Sequence, residues 1–227
     1  VASRFYLPTG TAGETTVGVV PSGWTAPTEG SLTRQLNRVP GGTTINGLTV
    51  SEATASVTNI LGFKYISSIL EAQTISGTFS AVYRALESVT TADLAMQVGL
   101  YIVPSDGSSV SGTLYAGLAA ALNATVGALG QELATTSQTR IMPSTAISSY
   151  TCAAGDRLLV CLGYRTYNTS STSVNAVIRL GDNAASDFAL TSGLTTDLNP
   201  WVELSADLVF RKRQVSVNQS VNRAAVI

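Results

Sequence analysis

Leu94-Ala-Met-Gln-Val-Gly-Leu-Tyr-Ile-Val103 decides the fold class. It is a ten-residue apolar run, of strand length, closed by Pro104-Ser105-Asp106-Gly107, whose residues each favour a turn. A run this apolar reads as a strand buried on its faces rather than one lapped by water. Downstream, Gly155-Asp-Arg-Leu-Leu-Val-Cys-Leu-Gly-Tyr164 repeats the pattern as a turn followed by a strand. Val174–Leu180 is next, and Pro200–Phe210 closes the body, with Trp201, Glu203, Ser205 and Asp207 alternating against Val202, Leu204, Ala206 and Leu208. Upstream lie Thr49–Val57, Leu61–Leu70 and Gln73–Arg84, where Ile75, Phe79 and Tyr83 sit among Ser and Thr. Thr135–Met142 carries the β pattern too, and Thr113–Ala121 fits a strand or a short helix. Several short strands between polar turns predict an all-β, antiparallel, jelly-roll-like β-sandwich over 48–210.

Residues 1–47 read differently. Turn residues recur at Thr9–Gly13, Pro21–Trp24 and Pro40–Gly42, with little periodicity between them. This predicts an extended N-terminal arm that needs a surface to lie on, anchored by Phe5, Tyr6, Leu7 and Trp24. The charge is segregated as well. Residues 1–210 carry 9 basic and 14 acidic groups, whereas 211–227 carry Arg211, Lys212, Arg213 and Arg223 and no acid. The tail therefore reads as a basic C-terminal arm, with Arg211, Lys212 and Arg213 as electrostatic contacts to an acidic neighbour. Four dispersed cations are too few to predict a nucleic-acid partner.

Composition narrows the chemistry. The 227 residues include no histidine, the commonest general base and zinc ligand. Ser-His-Asp and Cys-His nucleophiles and HExxH zinc sites are excluded. The only lysines, Lys64 and Lys212, stand outside any Ser-x-x-Lys motif. The densest oxygen cluster, Gly181-Asp182-Asn183-Ala-Ala-Ser-Asp187, reads either as a Ca²⁺ loop or as a turn whose side chains bond their own backbone. No cofactor is expected. Cys152 and Cys161 are expected as free, buried thiols, with a bridge as the alternative. Trp24, Tyr164, Tyr167 and Trp201 are the candidates for a sugar platform. No apolar run approaches the roughly 18 residues of a membrane helix, so no membrane partner is expected. Charged residues make up only 12% of the chain, which predicts that much of its surface is covered by other subunits.

Ser3-Arg-Phe-Tyr-Leu-Pro-Thr9 and Leu198-Asn-Pro-Trp-Val-Glu203 resemble the opening and closing motifs of small virion structural proteins of tailed bacteriophages. Ala154-Gly-Asp-Arg-Leu158 and Arg179-Leu-Gly-Asp182 resemble turns of the same family. The resemblance spans most of residues 3–210, and the basic tail departs from it. It implies a β-sandwich without enzymatic activity, assembled in a host cytoplasm and located in the virion. The leading expectation is a capsid decoration, or cement, protein on the outer capsid surface, a homotrimer bridging copies of the major capsid protein. A tail fibre or baseplate component binding host glycan is the alternative. A sandwich hydrolase working through carboxylates is a third reading, which no acid pair in a recognisable motif supports.

Overall fold

The computed structural model describes residues 2–9, 13–26, 33–40, 46–52, 57–117, 122–167, 174–181 and 186–211. Among them the regular structure is all strand: β1 (Ser3–Tyr6), β2 (Trp24–Thr25), β3 (Thr33–Gln35), β4 (Asn46–Glu52), β5 (Thr58–Ile66), β6 (Gln73–Glu87), β7 (Leu94–Val103), β8 (Gly112–Tyr115), β9 (Gln138–Cys152), β10 (Arg157–Thr166), β11 (Val174–Leu180) and β12 (Trp201–Leu204). They form two sheets packed as a β-sandwich, as expected. Sheet A runs β1-β12-β6-β11-β4, with β9 along the other side of β6. Sheet B runs β5-β10-β7-β8, with β2 and β3 added in parallel to the outer side of β5.

Alternation explains the core. Phe79, Ala81, Tyr83 and Ala85 on β6 point inward and meet Leu158, Val160, Leu162 and Tyr164 from β10. The opposite faces are partly covered as well. On sheet B, Leu61, Ile66, Tyr101, Val103, Leu159 and Cys161 pack under Val17 and Trp24 of the N-terminal segment. On sheet A, Val82 and Trp201 pack under Phe188. Strands β7 and β10 are thus covered on both faces, which is why they read as largely apolar runs, with Gln97 the one polar side chain in β7 and Arg157, Arg165 and Thr166 at the ends of β10.

The N-terminal segment finds its surface on its own chain. Strand β1 joins β12 as an edge strand of sheet A. Residues 13–25 then cross the outer face of sheet B, tied by Gly13 N–H to the Thr33 carbonyl (3.1 Å) and by Val17 N–H to Thr33 Oγ1 (3.0 Å). Trp24 sits where Gly99, Gly117 and Gly163 leave room for its ring, and its Nε1 donates to Tyr101 Oη at 2.7 Å. A Cβ on Gly163 would collide with the Ile60 carbonyl, so the β5–β10 irregularity at Leu162/Gly163 demands glycine.

Two strands depart from their sequence reading. β9 continues to Cys152, ten residues beyond Met142. Its register against β6 shifts between Ile75/Gly77 and between Phe79/Ala81, so β9 carries an extra residue at Ser148–Ser149 and at Pro143–Ser144. Bulges interrupt the two-residue period from which strands are read. β12 ends at Leu204 rather than Phe210, because Ser3 Oγ accepts the Leu208 N–H (2.8 Å) and draws the chain off the ladder.

Candidate interaction site at the meeting of the chain ends

Strand β1 lies against β12 with Arg4 opposite Glu203 and Tyr6 opposite Trp201. Residues almost two hundred positions apart are thereby brought into one cluster. Arg4 Nε donates to Glu203 Oε2 (2.8 Å) and its Nη1 to Asp187 Oδ2 (2.9 Å), while the guanidinium lies 4.1 Å from the centre of the Trp201 ring. Tyr6 Oη donates to the same Asp187 oxygen at 2.9 Å, and Asn199 Nδ2 reaches the other at 3.2 Å. Trp201 Nε1 donates to the Phe188 carbonyl (2.8 Å), locking the ring over Val82. Burial acts to lower the Arg4 pKa, but its bonds to Glu203 and Asp187 prevail and the net shift is upward. The Tyr6 phenol is raised first by burial and then by its bond to Asp187.

Beside this cluster is a shallow depression, open to solvent, lined by Tyr6, Leu7, Pro8, Pro40, Gly181, Asn199 and Pro200. Three of the four motif segments that carry the virion resemblance, Ser3–Thr9, Leu198–Glu203 and Arg179–Asp182, contribute to its wall. Three prolines, Pro8, Pro40 and Pro200, stand in that wall, and the space it encloses, about 10 Å³, is room for about one water rather than for a small molecule.

Of the expected contact residues, Tyr6 and Leu7 line this depression and the others fall elsewhere. Phe5 and Leu7, each 1% exposed, belong to the inner core, and Trp24 is buried on sheet B. They pack within their own chain, because the N-terminal segment covers its own sandwich. Tyr6 is half-buried in the Arg4 cluster. Arg211 is exposed, 3.9 Å from Glu71, while Lys212 and Arg213 lie outside the described residues. The sugar platform is dispersed: Trp24, Tyr164 and Trp201 are buried on three different surfaces, and Tyr167 is half-buried.

The acids are largely engaged. Glu14 pairs with Arg157 at 2.7 Å and Asp197 with Arg84. Asp187, read as a possible Ca²⁺ ligand, is occupied by Arg4, Tyr6 and Asn199, and Asp182 and Asn183 lie outside the described residues. Among the described residues no three His, Cys, Asp or Glu side chains are grouped to hold a metal ion. Both cysteines are free and buried. Burial pushes the Cys152 thiol up to about 11 and the Cys161 thiol higher, beyond the range of a reactive thiolate.

Two buried charged groups carry no sequence signal. Lys64 lies mid-strand in β5 and donates its Nζ to the Val17 carbonyl; burial lowers its pKa, and neighbouring Cys161 opposes the shift. Glu87, 2% exposed, ends β6 among Asp93, Glu132 and Arg140, with Oε2 accepting the Leu94 N–H at 3.3 Å. Only contacts between residues distant in sequence bury them.

No protein family and no curated protein matches the chain. Among solved structures it is similar to a CocE/NonD family hydrolase from Staphylococcus aureus, at 9% identity and a TM-score of 0.51, over 92% of this chain and 36% of the hydrolase. A second structure of a CocE/NonD family hydrolase from Staphylococcus aureus gives 9% identity, a TM-score of 0.49, and coverage of 92% and 37%. The chain thus spans about a third of the hydrolase's length. At this identity the likeness is one of fold: the sandwich recurs as part of a larger chain.

Proposed function

We propose that the chain is a non-enzymatic structural protein of a tailed-bacteriophage particle, a decoration protein that binds the outer surface of the capsid shell and stabilises the head by bridging major capsid subunits. The observation that carries this reading is the meeting of Ser3–Tyr6 and Trp201–Leu204 in one ladder, with Arg4, Tyr6, Asp187 and Glu203 in one ion-paired cluster. Three of the four segments that resemble virion proteins lie beside one another there, around a shallow depression.

The neighbouring surface is consistent with it. Thr74, Ser76, Thr78 and Ser80 on β6 and Ser144, Ala146, Ser148 and Thr151 on β9 make an outer face of hydroxyls and methyls, with no charge between Gln73 and Ser80 or between Ile141 and Thr151. Such a face loses little solvation when laid against another protein. Its strand β9 carries its own guard against open-ended strand pairing, two bulges and Pro143. That favours docking by the face over fibre growth by the edge.

The test is reconstitution. Purified chain is added to heads that lack it, and bound copies and the temperature of DNA release are measured. Saturable binding at a fixed ratio to the major capsid protein, with DNA release at a higher temperature, is expected. Heads that bind none, or bind without any thermal effect, contradict the proposal. For the glycan-binding alternative, whose four candidate aromatics do not share one surface, a glycan array read with the same preparation is expected to give no hits.

A further inference from the structure

A row of register partners crosses sheet A from β4 to β9: Gly47, Arg179, Arg84 and Thr139. Directly opposed residues on antiparallel strands share a face, with Cβ atoms about 5 Å apart, and like charges so placed repel. The row therefore sets two guanidinium groups side by side, on the face where Val82 and Trp201 also lie. Next to Arg179, Gly47 contributes no side chain. At the other end Thr139 is fully engaged, its Oγ1 donating to the Thr191 carbonyl (2.9 Å) and accepting the Leu194 N–H (2.8 Å).

The charges in this row are not balanced from within. Arg84 is only 6% exposed. Its Nη1 pairs with Asp197, a half-exposed acid, and its Nη2 donates to the Ser137 carbonyl at 3.1 Å. Its Nε has no hydrogen-bond partner, and neither has the Ser137 hydroxyl, although both are buried. Among the described residues no carboxylate pairs with Arg179, which is half-buried. Among the described residues two cations thus face one acid, and a buried charged donor is left unmet, an arrangement that carries its full desolvation penalty. Burial first, and then the adjacent Arg179, lower the Arg84 pKa, as uncompensated like charges require.

We infer that the Arg179–Arg84 row is a binding site for a tetrahedral oxyanion, a phosphate or sulfate group, held by the Arg179 guanidinium, Arg84 Nε and the Ser137 hydroxyl. The donors belong to three separate side chains, which suits a ligand with oxygens in several directions. A planar carboxylate is already supplied to Arg84 by Asp197. Charge-assisted bonds to such an anion satisfy the unmet donor and separate the two cations. The site is independent of the capsid role proposed above.

The probe is inorganic phosphate with the intact 227-residue chain, read by thermal unfolding and by titration calorimetry against chloride at matched pH and ionic strength. The variant is Arg179→Ala, chosen because Arg179 is half-buried and its loss leaves no new buried charge. Phosphate also stabilises proteins non-specifically through exclusion from their surface, and that part is common to both chains. Saturable binding to the parent is expected, weakened about tenfold or more by Arg179→Ala, partly restored by Arg179→Lys, and reproduced by sulfate. Equal effects of phosphate on parent and Arg179→Ala, or no saturable binding, overturn the site. Acetate binding as well as phosphate overturns its tetrahedral assignment.

Discussion

Glu87 is expected to contribute to the pH dependence of stability. Burial first, and then the nearby Glu132 and Asp93, raise its pKa from 4.5 to about 7, against the opposing Leu94 N–H and Arg140. A carboxyl whose pKa is higher folded than unfolded favours the fold when protonated. Its contribution is therefore fully present below about 4.5 and is lost as pH rises through about 7. The loss is at most about 3 kcal/mol before screening by solvent. Urea unfolding at pH 5 and pH 8 is expected to show lower stability at the higher pH, and Glu87→Gln to remove most of the difference. An unchanged slope in Glu87→Gln contradicts the assignment. Arg4 is the second residue of consequence. Its fork spans two carboxylates over an indole ring, a geometry that lysine does not reproduce. Arg4→Ala is expected to cost about 1–2 kcal/mol in urea unfolding, with Arg4→Lys recovering less than half. Neither residue was legible in the sequence as more than a charge, because the partners of Arg4 lie 183 and 199 positions away.

Elements differ in how openly they declare themselves. β7 is read with its boundaries intact and β10 almost so, since burial on both faces leaves apolar runs that nothing else explains. β9 is half hidden: Pro143 and two extra residues break its alternation, and its outer face is Ser, Ala and Thr. β1, β2 and β3 are too short to show a period, and β2 and β3 pair in parallel with a strand more than twenty residues on. Their role depends on the strap over sheet B. Trp24 fills the room left by three glycines, so Trp24→Ala is expected to cost about 3–5 kcal/mol. Gly163→Ala, which drives a methyl into the Ile60 carbonyl, is expected to cost about 1–3 kcal/mol or more. Both are checked by chemical denaturation with circular dichroism. A loss below about 0.5 kcal/mol in either, the range of an ordinary surface change, contradicts the tight seating of the strap.

At the scale of the whole molecule, three apolar clusters, one between the sheets and one on each outer face, bind the described N-terminal segment and the 186–199 segment to a single sandwich. The all-β class was legible from the spacing of apolar runs. The partial self-covering of the outer faces was not, since covering segments with few apolar residues show no period. Among the described residues the β6–β9 face is left open and uncharged, and it is the surface proposed for docking. Ala146→Arg on that face is expected to change folding stability by less than about 0.5 kcal/mol while reducing the number of copies held by the head. Equal occupancy by this variant places the contact elsewhere on the molecule. The central claim is tested most directly by counting: quantitative mass spectrometry of purified particles gives copies of this chain per major capsid subunit. A fixed small-integer ratio, lost together with heat resistance when the chain is stripped, is the predicted result. A few copies that leave with the tail, or none in the particle, contradicts it.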